Sequence, residues 1–360
     1  MNKRLLKLRE ALQEKELDAI LISTDENRRY VSGFSGSAGY LLVSQDDAVL
    51  ATDFRYVEQA GRQSPDFRVE RIAGGHAWLP KLTAEIGVKR VGFESQQMTY
   101  SAYTAFQKAI EDAEGSQKPE MVSTAGIVER LRAFKDADEL KLLARAIEIG
   151  DEAFELVAPT IEVGITEREI AWQMEKAMRE RGAEKIGYDI IVAAGANGAL
   201  PHHRAGDKVV EDGDAIVIDM GAVYEGYTGD MTRTIIVGEA DETFQRVYET
   251  VLRAQLEAED KARAGMTGKE VDAIARDIIT EAGYGDAFGH SLGHGIGLEV
   301  HEEPRISAQS EQVLEDGMVF TIEPGIYLSG WGGVRIEDNV VMENGRVRIM
   351  TRSHKRASAR

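Results

Sequence analysis

Gly164-Ile165-Thr166-Glu167-Arg168-Glu169-Ile170 decides the fold, because it returns as Gly265-Met266-Thr267-Gly268-Lys269-Glu270-Val271, 101 residues further along. Each copy is closed by a glycine at the same distance, Gly182 in the first and Gly283 in the second. A threonine ahead of an acid and a periodic apolar run, with glycine at the far end, predicts a capped helix in both places. A second repeat follows in the same order. Glu211-Asp212-Gly213, then Ile218-Asp219 and Gly221, matches Glu315-Asp316-Gly317, then Ile322-Glu323 and Gly325, at an offset of 104. Two matches in one order with near-equal offsets predict a duplicated helix-plus-strand unit related by a pseudo-twofold axis.

Upstream of the repeats, residues 138–158 place Leu140, Leu143, Ile147, Ile149 and Phe154 at helical spacing, a long amphipathic helix. The pattern before it is different, which puts a boundary near Arg132 and divides the chain into residues 1–131 and 132–360. In the first part a helix over 2–15 leads into a strand over 19–22. A Gly- and Ser-rich loop over 32–39 then opens onto a hairpin around Asp46-Asp47. Further strands fit 68–72 and 90–93, helices fit 77–86 and 100–110, and the polar stretch 111–119 reads as a loop. Such alternation predicts an α/β domain around a central sheet. The loop over 32–39 lacks the Lys-Ser/Thr ending of a phosphate-binding loop, so it reads as a turn. Lys355, Arg356 and Arg360 read as a frayed terminus.

With 360 residues the chain is long enough for two domains with real cores. The 43 basic against 62 acidic side chains give a net charge of −19, which repels nucleic acid and anionic membrane surfaces. No apolar run reaches the length of a secretory signal or a membrane span, and the expected location is cytoplasmic. Cysteine is absent, so any metal must be held by His, Asp and Glu.

Both halves of the duplication carry such residues. Apolar runs end at Asp219 (after Ala215-Ile216-Val217-Ile218) and at Glu323 (after Val319-Phe320-Thr321-Ile322), and a second acid, Asp230 or Glu337, sits on the following strand. If the halves face each other, four carboxylates converge, and such a charge cluster calls for multivalent cations. Gly289-His290-Ser291-Leu292-Gly293-His294-Gly295-Ile296-Gly297 lets backbone approach a crowded centre. Five of the seven histidines, at 202, 203, 290, 294 and 301, fall within one hundred residues. Oxygen-rich ligation with one imidazole suits Mn²⁺, Co²⁺ or Fe²⁺ and accommodates Zn²⁺. Two metals roughly 3.5–4 Å apart, bridged by carboxylates and a water, would make hydroxide available at neutral pH.

Asp219 in Ile-Asp-Met-Gly, Asp230 in Thr-Gly-Asp-Met-Thr-Arg, His294 in Gly-His-Gly-Ile-Gly-Leu, Glu323 in Ile-Glu-Pro-Gly and Glu337 in Val-Arg-Ile-Glu-Asp together resemble the dinuclear metal set of the pita-bread metallopeptidases. That group holds methionine aminopeptidase, aminopeptidase P and prolidase, and a preceding domain of this kind resembles its Xaa-Pro peptidase and creatinase branch. The resemblance implies a creatinase-like α/β domain over 1–131 and an α+β pita-bread catalytic domain over 132–360. It also implies a homodimer and two divalent ions per chain, Mn or Co first and Zn or Fe after them. By the same resemblance Asp219 chelates one metal, His294 binds the other, Asp230 and Glu337 bridge, and Glu323 both ligates and serves as general acid/base. His202 and His301 match substrate-side histidines, the second set to polarise the scissile carbonyl. Arg335 matches an arginine that buttresses ligand carboxylates, and Arg305 resembles an arginine near the substrate carboxylate in some prolidases. Plainer readings make His290 a backbone partner, His203 a neighbour of His202, and Arg305 a surface ion pair. The implied function is hydrolysis of the bond before proline, with Xaa-Pro dipeptides placed ahead of the longer peptides an aminopeptidase P would take. Creatinase-type hydrolysis without metal, and a non-catalytic pita-bread binding module, are the alternatives that the intact ligand set opposes.

Overall fold

The computed structural model describes residues 2–115 and 118–355. Arg356, Arg360 and part of the 111–119 loop lie outside the described residues. The chain divides into two units, Met1–Arg132 and Ala133–Arg360.

The first unit is built on a six-stranded mixed sheet in the order Arg68–Arg71, Ala48–Thr52, Tyr40–Ser44, Ala19–Ile22, Arg90–Glu94, Glu120–Thr124. Its central strand Ala19–Ile22 is buried along its whole length and pairs antiparallel with Tyr40–Ser44 and parallel with Arg90–Glu94. Apolar side chains from Leu21, Leu42, Val49, Leu82, Phe93 and Phe106 form the core between sheet and helices. Four elements depart from the sequence expectation: the helices Asp25–Ser32, Val57–Gln63 and Ile127–Ala133 and the edge strand Glu120–Thr124. The first is hidden by its composition. Beside the buried Tyr30 and Val31 its inward face carries Asn27, Arg28 and Ser32, all buried and all hydrogen-bonded, which break up the apolar stripe. Arg28 donates to the carbonyls of Gly36 (2.6 Å) and Gly39 (3.0 Å), and the glycine-rich loop is thus wrapped around a buried guanidinium.

In the second unit the duplication is visible bond by bond. Each copy has a long helix, Ala137–Val157 or Glu242–Lys261, followed by a shorter one, Glu167–Glu180 or Gly268–Glu281. The turn before the shorter helix is bonded alike in both: Gly164 N donates to Val210 O (3.0 Å) and Gly265 N to Leu314 O (2.8 Å). Thr166 and Thr267 each accept a hydrogen bond at 3.2 Å from the backbone of Glu169 and Glu270. Gly182 and Gly283 follow the helix ends with φ of 100° and 87°, a left-handed conformation that glycine adopts without steric cost. The helices of each half cover a sheet. In the first half this is Met231–Ile236, Ala215–Met220 and Ile191–Ala194; in the second it is Glu302–Ile306, Gly293–Gly295, Val319–Ile322, Asp338–Glu343 and Arg346–Ile349. Two apolar clusters fill the spaces between helices and sheets, one for each half.

Along their shared seam the halves are zipped by polar contacts. Glu337 N donates to Thr232 O (3.1 Å), Arg233 donates to Glu337 O (2.6 Å), and the Thr234 hydroxyl donates to Arg335 O (2.9 Å). Among the described residues no helix is long and apolar enough to cross a membrane.

Candidate metal centre

The seam brings the acids together. In the first half Thr232 pairs with Asp219 across antiparallel strands, which sets Asp219 beside Asp230. The second half pairs Ile322 with Asp338, so Glu323 and Glu337 stand one residue beyond each strand end. His294 enters on the short strand Gly293–Gly295 between Glu302–Ile306 and Val319–Ile322. Its flanking glycines are obligatory: a Cβ at 293 would lie 1.9 Å from Thr321 O, and one at 295 would lie 2.0 Å from Glu303 O.

One ligand atom each from Asp230, His294 and Glu337 lies within 4.8 Å of the others, and all three residues are buried. His294 Nε2 is 3.2 Å from Glu323 Oε1 and 3.7 Å from Asp230 Oδ2. Asp219 accepts a hydrogen bond from Arg335 (2.6 Å) and another from the Tyr188 hydroxyl (2.6 Å), and Tyr188 also touches Asp230. Glu337 accepts from the Thr232 hydroxyl at 2.6 Å.

All nine residues singled out in the sequence line one cavity of about 450 Å³: Asp219, Asp230, His294, Glu323, Glu337, His202, His301, Arg305 and Arg335. The ring of His301 lies 4.3 Å from that of His294, centre to centre. Arg305 is the cross-strand partner of His294, which turns both side chains to one face of the sheet. His290 donates and accepts within the wall, 2.8 Å from Ser291 O and 2.9 Å from the Tyr327 hydroxyl. His203 borders the same cavity and meets Glu167 at 2.8 Å. Four residues escaped the sequence reading: Tyr188, Tyr327, Thr232 and Glu167. No repeat or spacing marks the first three. Glu167 reads as an ordinary first-turn acid of its helix.

Burial, and then the charge of Asp219, pushes the Asp230 carboxyl well above its ordinary range. Burial followed by the charges of Asp230, Glu323 and Asp219 does the same to Glu337. Burial also works to raise Glu323, yet the hydrogen bond and charge of His294 outweigh it and bring this carboxyl down to about 2. His294 is raised in turn by Glu323 against its own burial. Two of the acids thus resist ionisation in one another's company, and bound cations would remove that resistance. Oxygen donors from both halves, one imidazole and no sulfur are the donor set of a divalent transition-metal site.

Comparison with known proteins agrees with this chemistry. Residues 141–344 match the model of metallopeptidase family M24, and residues 4–134 match that of the creatinase/prolidase N-terminal domain. The chain is 41% identical over 351 residues to an Xaa-Pro dipeptidase of Pyrococcus horikoshii, with 97% of each chain covered. The solved structure of an Xaa-Pro dipeptidase from Bacillus anthracis superposes with a TM-score of 0.95 at 44% identity, covering 99% of this chain and 98% of that one. An X-Pro aminopeptidase from Thermotoga maritima gives a TM-score of 0.89 at 40% identity, with 98% of each chain covered.

Proposed function

This chain belongs to metallopeptidase family M24, and on that premise we propose that it hydrolyses the bond preceding proline in Xaa-Pro dipeptides. The observation that carries the reading is the single cavity in which buried acids and His294 form the floor while His202, His301 and Arg305 stand at the rim. We take Asp219, Asp230, His294, Glu323 and Glu337 as the ligands of two divalent ions, Mn or Co ahead of Zn or Fe. Cations so held would polarise the scissile carbonyl and acidify water.

The chain's own groups do the rest. Glu323, ionised, accepts a proton from the attacking water and passes it to the proline nitrogen as the bond breaks. His301, whose burial and cationic neighbours keep it below the ordinary histidine range and therefore neutral, donates its ring N–H to the carbonyl oxygen as charge develops there. His202, exposed at the same rim, bounds the substrate from the first half of the duplication. Arg335 holds Asp219 in place through their 2.6 Å contact. Arg305 offers a guanidinium to the free carboxylate that a dipeptide presents next to its proline ring.

A second reading has support in the 40% identity to the Thermotoga enzyme: an aminopeptidase that removes the residue before proline from longer peptides. Rates on Ala-Pro and Ala-Pro-Ala, with Mn²⁺ and Co²⁺ supplied separately, decide between the two. Metal analysis of the purified protein tests the premise beneath both, and a protein that takes up no divalent ion would be a binding module or a metal-free hydrolase of the creatinase type instead. The proposal keeps residues 1–131 as the N-terminal domain and 132–360 as the catalytic one. It also keeps a homodimer and a cytoplasmic location, to be checked by light scattering and cell fractionation.

A further inference from the structure

Glu167 is buried to the last fraction of its surface, although it belongs to no acid cluster and faces neither a lysine nor an arginine among the described residues. Its oxygens take four hydrogen bonds. Oε1 accepts from Ala194 N (2.9 Å) and Asn197 Nδ2 (2.9 Å), and Oε2 accepts from Gly206 N (3.1 Å) and meets His203 Nε2 (2.8 Å). Burial works against the charge, but these bonds hold the carboxyl below its ordinary pKa, so it stays ionised at neutral pH.

All four donors belong to one segment. Residues 194–206 leave the strand Ile191–Ala194, carry His202 over the cavity and return to the start of the Glu167 helix. On the other side of His202, Pro201 O accepts from Arg335 at 3.4 Å. Further back, Gly198 lies against Gly333 so closely that a Cβ there would be 2.8 Å from its nitrogen. Both chain neighbours of His202 are therefore tied down, while His202 itself makes no hydrogen bond among the described residues and is exposed. An anchored backbone with a free imidazole between two anchors is how a group is presented to something outside the protein.

The duplication sharpens the point. Where the first half has Glu167, the second has Gly268, and a Cβ there would meet Arg305 O at 2.2 Å. In the second half the strand that carries Arg305 rests directly on the helix start. In the first half a side chain spans that distance, and its charged end grips the loop instead.

We propose that Glu167 is a positioning residue: it clamps the 194–206 segment from beneath and thereby sets His202 against the substrate. The clamp rests on the reading of His202 as a substrate-side group, and the test separates the two. Glu167→Ala should lower kcat/KM for Ala-Pro about 10- to 100-fold through misplacement of His202, with bound metal unchanged. Glu167→Gln keeps an acceptor for Ala194 N and Asn197 and should fall between. In a His202→Ala background the same changes should cost nothing further, since the group they place is gone. Amide hydrogen exchange, measured without substrate, should quicken in 194–206 and not in 215–220 or 319–322. A full second loss in the His202→Ala background, or exchange that quickens equally in all three segments, overturns the proposal. If Glu167→Ala does not fold, the glutamine variant decides by the same measurements. A wild type that cleaves neither peptide removes the peptidase reading, and the exchange pattern still decides the clamp.

Discussion

Asp219 and Glu323 occupy matching places in the two halves, and their surroundings differ in kind. Asp219 lies between a guanidinium and a phenol, Arg335 and Tyr188, both of which only donate to it. Glu323 has the imidazole of His294 at 3.2 Å and the hydroxyl of Thr321 at 3.1 Å. One acid is locked by donors from two side chains outside the ligand set, and the other lies against His294, itself one of the proposed ligands. The same division runs through the rim. The first half presents His202 from a loop clamped by Glu167, and the second presents Arg305 from a β-strand. Duplication supplied two copies of a scaffold, and on the proposed reading the copies diverged into a half that holds and a half that reacts.

The largest expected effect tests that division at the acids. Glu323→Gln should remove almost all turnover, because a charged ligand and the proton carrier go together, and general acid/base catalysis alone contributes about 10²–10⁴-fold. Asp219→Asn should lose rate in step with bound metal. Raising Mn²⁺ or Co²⁺ should therefore restore part of the Asp219→Asn rate and none of the Glu323→Gln rate. Recovery of both variants with metal would erase the distinction between the halves.

At the rim, His301→Ala should lower kcat by about 10²–10³-fold with metal content intact, the usual loss for a donor to a developing oxyanion. Should metal content fall together with the rate, His301 is a ligand and the roles of His294 and His301 must be redrawn. A smaller effect belongs to Arg305. Loss of its charge-assisted contact to a dipeptide carboxylate costs about 1.5–3 kcal/mol, roughly 10- to 150-fold in kcat/KM. Arg305→Ala should therefore damage Ala-Pro hydrolysis and spare Ala-Pro-Ala. Equal losses on both peptides would make Arg305 a structural residue, and a wild type that prefers the tripeptide would move the chain to the aminopeptidase reading.

Much of this was legible in the residues because two kinds of signal are carried by residue type and spacing alone. Caps recur at fixed intervals, so Thr166, Gly182, Thr267 and Gly283 outline the duplicated helices directly in the chain. Acids at the ends of apolar strands stand out because burying them is costly, and that contrast exposes Asp219 and Glu323. What stayed hidden lacked contrast. Asn27, Arg28 and Ser32 interrupt the buried side of the Asp25–Ser32 helix, and Tyr30 and Val31 are too few for periodicity to detect. Tyr188 and Tyr327 are large aromatic residues of the sort any core contains, and only geometry shows their hydroxyls on Asp219, Arg335 and His290. Glu167 satisfies a helix start by its sequence position alone, which masks its grip on the His202 loop.

The smallest prediction compares the caps of the two shorter helices. Thr166 makes one bond, to Glu169 N, whereas Thr267 belongs to a reciprocal pair in which Glu270 also accepts from Thr267 N at 2.7 Å. Replacing a capping threonine by alanine costs about 0.5–2 kcal/mol, and the change at 267 should lie higher in that range because it also removes the hydroxyl's own bond to Glu270. The comparison carries its own pH test. Hydrogen bonds from the backbone and then the side chain of Thr267 hold Glu270 below its ordinary pKa. A carboxylate depressed in the folded state stabilises fully above its unfolded pKa, and that contribution is lost as pH falls through the folded value. Denaturation midpoints of Thr166→Ala and Thr267→Ala, measured against wild type, should thus differ at neutral pH and draw together in acid. A gap between them that ignores pH would mean that the second cap gains nothing from Glu270, and that at the helix starts the two halves are equivalent.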